Sequence, residues 1–210
     1  MKIGILGGTG TMGMAIATRL ASSHEVLIGS RVVSKAEAAA AGIKGARGRD
    51  YRGAARECDS AIVTIPFSAM NLMDPLGGAL SQKLVISTIN PLTTDKGLFV
   101  YGLQKGSAAE TLAKALPRSR VATGFNNIPA GFFGKGELPT VDILIAADSK
   151  STYEEASLIV TSIPGLRPLY AGPLSEAQGV ERITPLVLNL ASENGTRSLA
   201  PRFVSRKDND

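Results

Sequence analysis

Three glycines near the beginning of the chain are spaced so that the backbone can approach a bound group closely. Gly8, Gly10 and Gly13 follow one another at intervals of two and three residues. In a G-x-G-x-x-G turn the first glycine permits a sharp bend, the second leaves room for a pyrophosphate, and the third lets the next helix pack against the strand. The free N–H groups at the start of that helix face the anion. The spacing predicts a dinucleotide-binding turn, and an ordinary glycine-rich turn is the alternative.

The segments on either side of the glycines favour the dinucleotide interpretation. Residues 2–6 form a short apolar run that is typical of a buried strand. After Gly13, apolar side chains recur at spacings of about three and four residues, which indicates a helix. Residues 25–29 form a second apolar run, at the distance expected for the next strand. This order of strand, glycine turn, helix and strand is how a dinucleotide-binding unit begins.

The residues after the second predicted strand favour a phosphorylated dinucleotide. Sites for NAD usually place Asp or Glu there, because a carboxylate binds the ribose 2′-hydroxyl. This chain has Ser30 and Arg31 instead, with Lys35 one helical turn later. A hydroxyl, a guanidinium and an ammonium group together can hold a 2′-phosphate. We therefore predict NADP(H) as the cofactor, and an exposed arginine beside a loop, without a ligand, is the alternative.

Strands and helices alternate along the chain. Continuous apolar runs at residues 60–66 and 83–88 are typical of strands buried on both faces of a sheet. The alternation predicts an α/β fold of Rossmann type, with a doubly wound parallel sheet and a smaller, mainly helical C-terminal lobe. Around residues 131–139 the composition shifts to Gly, Phe and Pro. We therefore predict an NADP-binding domain over residues 1–133 and a small α+β lobe over residues 134–210.

Local signals predict the starts of two helices and the character of two connecting segments. Ser34 has Glu37 three residues later, which is the spacing of a capping box, so a helix is predicted to begin there. Ser107 begins a second predicted helix in the same way. Residues 43–50 predict a weak third strand at best, and residues 93–106 are predicted to be a loop.

The composition restricts the class of protein. Of the 210 residues, 44% are hydrophobic and 20% are charged, which suffices for a packed core. Because no signal peptide or membrane-length apolar run is recognised, a cytoplasmic protein without a membrane partner is expected. The net charge is +5, but the basic residues are scattered, so we expect anionic cofactors and no nucleic acid as partners. The single cysteine, Cys58, and the single histidine, His24, argue against a disulfide within the chain and against a metal site.

The loops expected at the carboxyl ends of the strands hold few groups that transfer protons. No His, Cys, Asp or Glu occurs in residues 7–12, 30–31, 65–68, 89–92 and 125–130. A hydrolase or an acid/base dehydrogenase would need such groups there. Hydride transfer between two bound redox cofactors instead needs proximity, orientation and the exclusion of water. The small, apolar run Ile128, Pro129 and Ala130 fits a wall beside two stacked rings, and a turn between two lobes is the alternative.

Seven short motifs occur in order along nearly the whole chain. They are GGTGTMG at 7–13, IGSR at 28–31 with Lys35, TIPF at 64–67, SAAE at 107–110, NIPA at 127–130, GLRPLYAGPL at 165–174 and ITPLVLNL at 183–190. Together they resemble the coenzyme F420-dependent NADP oxidoreductases. The resemblance implies hydride transfer between NADP and reduced coenzyme F420, which is a 5-deazaflavin. It also implies a homodimer, to which a small second lobe that closes the transfer cleft would contribute.

The resemblance further implies roles for individual residues. In the turn shaped by Gly8 and Gly13, the pyrophosphate would be held by Thr9, Gly10, Thr11 and Met12. The 2′-phosphate would be held by Ser30, Arg31 and Lys35, with help from Thr9. The path from adenine to nicotinamide would be lined by Phe67, Asn71, Leu92 and Ala130, and the two rings would meet beside Ile128, Pro129 and Ala130. Ile65, Pro66 and Asn90 complete the predicted cofactor-binding set because they follow buried strands, where ligands of open α/β sheets bind. No acid/base residue and no metal ligand is expected.

Two other functions are compatible with the same residues. An NADPH-dependent reductase acting on an ordinary flavin or a small imine would oxidise NADPH with FMN but not with F420. A non-catalytic NADP(H) sensor would have no cleft for a second planar ligand and no turnover with any acceptor. The fold alone does not separate these functions, because one fold hosts many activities.

Overall fold

The computed structural model describes residues 1–134 and 136–205, and this part of the chain contains ten strands and six α-helices. The strands are β1 Lys2–Leu6, β2 Glu25–Ser30, β3 Ala46–Asp50, β4 Ser60–Val63, β5 Leu84–Ser87, β6 Leu92–Asp95, β7 Leu98–Tyr101, β8 Arg120–Thr123, β9 Val141–Ala146 and β10 Leu166–Gly172. The helices are α1 Thr11–Leu20, α2 Val33–Ala41, α3 Tyr51–Glu57, α4 Ala108–Ala115, α5 Lys150–Thr161 and α6 Ala177–Glu193.

Six of the strands form one parallel sheet. Their order is β3-β2-β1-β4-β5-β8, and every neighbouring pair is parallel. The chain runs outward from β1 to β3 and then returns past β1 to β4, so the winding reverses between β1 and β4. The predicted doubly wound Rossmann-type sheet is confirmed. In such sheets the ligand crevice lies outside the carboxyl ends of the strands at this reversal.

Burial on both faces explains the apolar runs in the central strands. All residues of β4 and β5 are buried. In β1, Ile3 and Ile5 belong to the core cluster that also contains residues of α1 and α5, whereas Leu6 belongs to the cluster with residues of α3 and α4. Helices therefore cover both faces of the sheet, as side chains that alternate between its two faces require.

The C-terminal part of the described chain is built on a second, smaller sheet. β9 and β10 pair in parallel, α5 connects them, and α6 follows as the longest helix. The Ala146 amide donates to the Thr123 hydroxyl at 2.7 Å, which ties β9 to β8. Ile143 and Ile145 share a core cluster with Ile3. A mainly helical C-terminal part is thus present, and the division after residue 133 stays a prediction.

The third strand is better formed than the sequence predicted. β3 pairs with β2 over five residues, although its sequence, ARGRD, has no apolar alternation. β3 lies at the edge of the sheet, so its arginines reach solvent and form ion pairs, Arg47 with Glu25 and Arg49 with Glu57. A Cβ at Gly48 would lie 2.3 Å from the Glu37 amide nitrogen, so glycine allows α2 to pack directly on this strand.

The prediction of a loop over residues 93–106 was wrong for its first half. β6 and β7 form an antiparallel hairpin, with Leu92 opposite Tyr101. Its two-residue turn has positive φ at both Lys96 and Gly97, at 48° and 83°, which is the conformation that matches the twist of a hairpin. All four residues of β6, LTTD, are exposed. A strand with no buried face needs no alternation of apolar and polar residues, which is the pattern by which strands are recognised.

One of the two predicted helix caps was wrong. α2 begins at Val33, and neither Ser34 nor any other side chain caps it. The Val32 amide instead donates to the Ser30 hydroxyl at 3.3 Å, so the chain turns directly after β2 and the helix begins one residue before the predicted cap. The Ser107 cap is confirmed, because its hydroxyl accepts a hydrogen bond from the Glu110 amide at 3.0 Å.

Candidate functional site

The glycine turn lies where the carboxyl end of β1 meets the start of α1. A Cβ at Gly8 would lie 2.9 Å from the Ile5 carbonyl oxygen, and one at Gly13 would lie 2.7 Å from the Gly7 oxygen. Glycine is therefore needed at both positions for the turn and the helix to fit together. Gly10 immediately precedes α1 and provides no capping side chain. The first N–H groups of α1 are left to interact with an anion.

A cavity of about 270 Å³ lies beside this turn, over the carboxyl ends of β1 and β2. It is lined by Gly7, Thr9, Gly10, Ser30, Arg31, Val32, Lys35, Tyr51, Thr64, Ile65 and Pro66. Thr9, Ser30, Arg31 and Lys35, which the sequence predicted to hold a 2′-phosphate, thus lie together. The two cationic side chains have no carboxylate beside them in this lining. The cavity therefore suits a dianionic phosphate next to a nucleoside.

A second cavity, of about 360 Å³, lies next to the first, since Pro66 lines both. Its lining consists of Pro66, Phe67, Ser68, Asn90, Pro91, Leu92, Thr93, Gly102 and Leu103. The hairpin contributes Leu92 and Thr93 to this lining, together with residues of the loops after β4 and β5. Asn71 lies exposed on the short 3₁₀ helix Phe67–Leu72 and lines neither cavity. Three predicted residues, Phe67, Asn90 and Leu92, are therefore brought together, and Asn71 is apart from them.

The run of Ile128, Pro129 and Ala130 is divided between two further cavities. Ile128 and Pro129 line a space of about 130 Å³ that α6 closes on the other side. Its full lining is Met12, Asn90, Asn126, Asn127, Ile128, Pro129, Thr184, Val187 and Leu188. Ala130 lines a space of about 740 Å³ along α1, together with Thr11, Met14, Phe133 and others. The glycine turn therefore contributes to both cavities, through Met12 to the first and Thr11 to the second.

Two buried asparagines hold the loop that carries this run. Asn126 and Asn127 are each only 2% exposed. The Asn126 amide group donates to the Ile89 carbonyl oxygen at 3.1 Å and accepts from the Gly124 amide at 3.0 Å. The Asn127 amide group donates to the Asp142 carbonyl oxygen at 2.6 Å. The loop is therefore tied to the end of β5 on one side and to β9 on the other.

The carbonyl oxygen of Asn126 joins three parts of the site. It accepts a hydrogen bond from the Asn90 side-chain nitrogen at 2.9 Å and from the Thr184 hydroxyl at 2.8 Å. Asn90 follows β5 and Thr184 lies on α6, so one oxygen links the main sheet to the last helix. The buried side-chain oxygen of Asn90 has no partner in the part of the chain that the structure describes.

The walls of these cavities are neutral or basic. Their linings, among the described residues, include no Asp, Glu, His or Cys. Cys58 lies buried against Gly4, and burial raises the pKa of its thiol. Residues 1–134 and 136–205 contain no group of three or more His, Cys, Asp or Glu side chains that could hold a metal ion. No helix in these residues is long and apolar enough to cross a membrane.

A buried carboxylate fixes the position of α6. Glu181 is fully buried and accepts hydrogen bonds from the Ala108 amide at 2.9 Å, the Ala109 amide at 3.0 Å and the Tyr101 hydroxyl at 2.7 Å. Burial raises the pKa of this carboxyl, and the three donors act against that shift. Glu181 thus caps α4 from outside and joins it to the hairpin and to α6, which carries Thr184.

Sequence comparisons now identify the family. The family model for coenzyme F420-dependent NADP oxidoreductases matches residues 2–91. An F420-dependent NADP reductase of Methanothermobacter marburgensis is 36% identical over 221 aligned positions, which cover 98% of this chain and 99% of the relative. The chain belongs to the F420-dependent NADP reductase family. A relative with the same name from Methanothermobacter thermautotrophicus is 34% identical, and the alignment covers 98% of this chain and 95% of that one.

A solved structure shares the whole fold. A candidate F420-dependent NADP reductase from Arthrobacter sp. FB24 superimposes with a TM-score of 0.86, at 20% sequence identity, covering 98% of this chain and 100% of the other. At this identity the likeness establishes the common architecture. Membership of the F420-dependent NADP reductase family confirms the resemblance carried by the seven sequence motifs.

Several residues at the site of this family member were missed from the sequence. Tyr51 lines the basic cavity beside the glycine turn; burial raises the pKa of its hydroxyl, and the positive charge of Arg31 lowers it in part. Tyr51 reaches this cavity because it directly follows β3, a full strand whose carboxyl end lies beside that of β2. Thr184 and Leu188 on α6 were also missed as cavity residues, because their place depends on how α6 packs. The only signal for them was the ITPLVLNL motif.

Proposed function

We propose that this chain transfers a hydride between reduced coenzyme F420 and NADP⁺, giving oxidised F420, NADPH and a proton. The observation that carries the proposal is the 36% identity, over nearly the full length, to a relative named F420-dependent NADP reductase. When both cofactors are bound, the redox chemistry belongs to them. The part of the chain is to bind, orient and shield the reacting rings from water.

The NADP half of the proposal rests on the glycine turn and the basic cavity beside it. The free amides of α1 would hold the pyrophosphate with Thr9, Thr11 and Met12, since a helix N-terminus favours an anion. Arg31 and Lys35 would bind the 2′-phosphate, because a guanidinium and an ammonium group form charge-assisted hydrogen bonds with its oxygens. The absence of a carboxylate from the described lining of this cavity favours a phosphate over a free 2′-hydroxyl.

The transfer region would lie where the glycine turn, the 126–130 loop and α6 approach one another. Met12, Ile128 and Pro129 offer apolar surface that would keep water from the rings. Ala130 is small, which would leave room for a ring on the side of Thr11. We propose that residues 134–210 form the lobe that closes over this region, which is supported by the contribution of Thr184 and Leu188 to the cavity wall.

The assembly is proposed to be a homodimer, as the resemblance implies. Large apolar side chains are exposed on neighbouring parts of α6 and β7: Leu186 is 57% exposed, Leu190 45% and Phe99 39%. Asn189 holds the two elements together through hydrogen bonds of 2.9 Å and 2.8 Å with the Phe99 backbone. A second copy of the chain would cover this surface, since apolar patches of this kind are typical of interfaces. The proposed compartment is the cytoplasm, where the NADP pool would serve as the co-substrate.

The dimer is tested by light scattering behind size-exclusion chromatography. The variant Leu186→Asp is expected to elute as a monomer, because a charge in an apolar interface is costly. Leu158→Asp is the matched control, since Leu158 is 70% exposed on α5, away from this surface. A monomeric wild-type protein would contradict the proposed assembly without affecting the proposed reaction.

The reaction is tested by anaerobic stopped-flow mixing of the pure protein with NADPH and oxidised F420. We expect loss of the deazaflavin absorbance together with oxidation of NADPH in equal amounts. FMN in place of F420 is the control acceptor and should give no turnover. Absence of any bleaching with F420 would remove the proposed reaction, and turnover with FMN alone would favour a flavin reductase.

A further inference from the structure

Asn90 carries a buried hydrogen-bond acceptor that the described chain does not use. Its side-chain nitrogen donates to the Asn126 carbonyl oxygen at 2.9 Å, whereas its side-chain oxygen is buried without a partner. A carbonyl oxygen can only accept, so the Asn126 bond settles which end of the amide group is the nitrogen. The free end of Asn90 is therefore the oxygen. Buried acceptors without a partner are rare and costly, and each one calls for an explanation.

The acceptor is held rigidly. Asn126 is 2% exposed and is itself fixed by hydrogen bonds to Ile89 and Gly124. The Thr184 hydroxyl also donates to this Asn126 carbonyl oxygen, at 2.8 Å. A side chain anchored in this way loses little freedom when a ligand binds, which is the condition under which a single hydrogen bond selects between ligands.

The position of Asn90 in the fold indicates which part of a ligand it meets. It follows β5 and lines both the cavity closed by α6 and the cavity beside Phe67. The basic cavity for the 2′-phosphate lies on the β2 side of the glycine turn. A dinucleotide whose pyrophosphate sits at this turn therefore extends in the opposite direction, over β4 and β5. Its nicotinamide end would reach the cavity that Met12 and Asn90 both line.

We propose that the side-chain oxygen of Asn90 accepts an N–H from the carboxamide group of nicotinamide and so fixes the rotation of that ring. This inference rests on the proposed binding of NADP(H). The nicotinamide ring itself has no N–H, so its carboxamide supplies the only N–H donors at this end of the cofactor. With the carboxamide held on the Asn90 side, one face of the ring is turned toward α6, where the second cofactor would lie. Asn90 is then a residue that sets cofactor specificity and orientation.

The test uses calorimetric binding of three oxidised cofactors to the wild-type protein: NADP⁺, its thionicotinamide analogue and its 3-acetylpyridine analogue. The thionicotinamide group keeps the N–H donors, whereas the acetyl group replaces them with a methyl group. We expect the first two to bind with nearly equal affinity and the third about 3- to 10-fold more weakly. Equal affinities for all three would overturn the proposal, and this outcome needs no variant that must fold.

Variants then test whether this difference in affinity depends on Asn90. In Asn90→Ala the affinity for NADP⁺ should fall to that for the acetylpyridine analogue, so the discrimination disappears. Arg31→Ala is the matched control, since it should weaken all three cofactors by one common factor and leave the discrimination intact. The proposal would be overturned if Asn90→Ala still bound NADP⁺ more tightly than the acetylpyridine analogue. If that preference persisted and the variant instead lost affinity for F420, the Asn90 oxygen would be assigned to the deazaflavin.

The two proposals can fail separately. A protein that distinguishes the three nicotinamide cofactors but does not bleach F420 would keep the role of Asn90 and lose the proposed reaction. A protein that bleaches F420 but binds all three cofactors equally would keep the reaction and lose the role of Asn90.

Discussion

The hydroxyl of Tyr101 donates to the carboxylate of Glu181 across 2.7 Å, and this contact fastens the hairpin to the last helix. The same hydroxyl lies 3.0 Å from the Gly106 carbonyl oxygen. Burial and the neighbouring Glu181 raise the pKa of Tyr101, so the hydroxyl stays protonated and remains a donor at physiological pH. Since α6 supplies one wall of the cleft, this contact between residues 80 positions apart in the chain helps to set the width of the site.

Removal of this hydroxyl should destabilise the fold. We expect Tyr101→Phe to lower the free energy of unfolding by about 1.5–3 kcal/mol, because it removes a hydrogen bond to a buried carboxylate. The ring is retained, so its contact with Arg182, at 5.1 Å, is unchanged. Urea unfolding followed by circular dichroism measures the effect. Tyr170→Phe is the control: its hydroxyl makes a longer bond of 3.3 Å from a 54% exposed side chain, so a change within about 0.5 kcal/mol is expected.

Arg31 should make the protein bind NADPH more tightly than NADH. Loss of a charge-assisted contact with a phosphate costs about 1.5–3 kcal/mol, so Arg31→Ala should weaken NADPH binding by about 10- to 100-fold and NADH binding far less. Calorimetry with each cofactor measures the difference. Arg52→Ala removes an equal charge from an exposed position on α3 and should change neither affinity strongly. If Arg31→Ala weakens both cofactors equally, the assignment of the phosphate cavity is wrong.

The size of residue 130 should matter for turnover and not for NADP binding. Ala130→Leu would fill space beside Thr11 and displace a ring, so we expect turnover to fall by about 10- to 100-fold while the NADP⁺ affinity persists. Steady-state rates and calorimetry separate the two effects. Ala38→Leu, an equal enlargement at an exposed position on α2, serves as the control. Unchanged turnover in Ala130→Leu would place the transfer region elsewhere.

His24 should make stability depend on pH. Burial, and secondarily the positive amino terminus, lowers the pKa of this imidazole, and both ring nitrogens are buried without a partner in the described chain. The unfolded chain then binds a proton more readily than the folded one, so stability is fully present above the ordinary pKa of 6.5 and falls as the pH drops below it.

The measurement is the urea midpoint at pH 7.5 and at pH 5.5. The wild type should unfold at lower urea at pH 5.5, whereas His24→Gln should show little change between the two. His24 is the only histidine in the chain, so no other side chain with an unperturbed pKa titrates in this interval. An equal pH dependence in the variant would assign the effect to another group.

The parts of the fold that follow from local sequence were predicted well. The apolar runs of β1, β4 and β5 are buried on both faces, and the cap at Ser107 depends on a residue only three positions away. The edge strand β3 was predicted only as a weak strand, and the hairpin of β6 and β7, outside the main sheet, was not predicted. The hairpin consists of exposed strands, and the first position of its turn is Lys96 instead of the asparagine or aspartate that usually marks such turns.

In the candidate site, too, the residues that were predicted are close in sequence, and those that were missed depend on distant partners. Ser30, Arg31 and Lys35 lie within six positions of one another, so their shared cavity follows from one strand and one helix. Thr184 and Glu181 act on residues more than fifty positions away, at Asn126 and Ala108, and no pattern near them in the sequence indicates those partners. The role of residues 128–130 stays a prediction, and the sequence could not show that Ala130 lines a different cavity from Ile128 and Pro129.

The Asn126 carbonyl oxygen has two lone pairs, and Asn90 and Thr184 use both of them. The proposed ligand contact at Asn90 and the packing of α6 through Thr184 therefore share one atom, so we expect the two to be energetically coupled. Such coupling is reciprocal. A ligand that stabilises the Asn90–Asn126 hydrogen bond would favour the contact of Thr184 on α6 with Asn126, and that contact would strengthen the binding of the ligand by the same factor. Each cofactor would then change the affinity of the other by the same factor, in addition to any effect of direct contact between their rings.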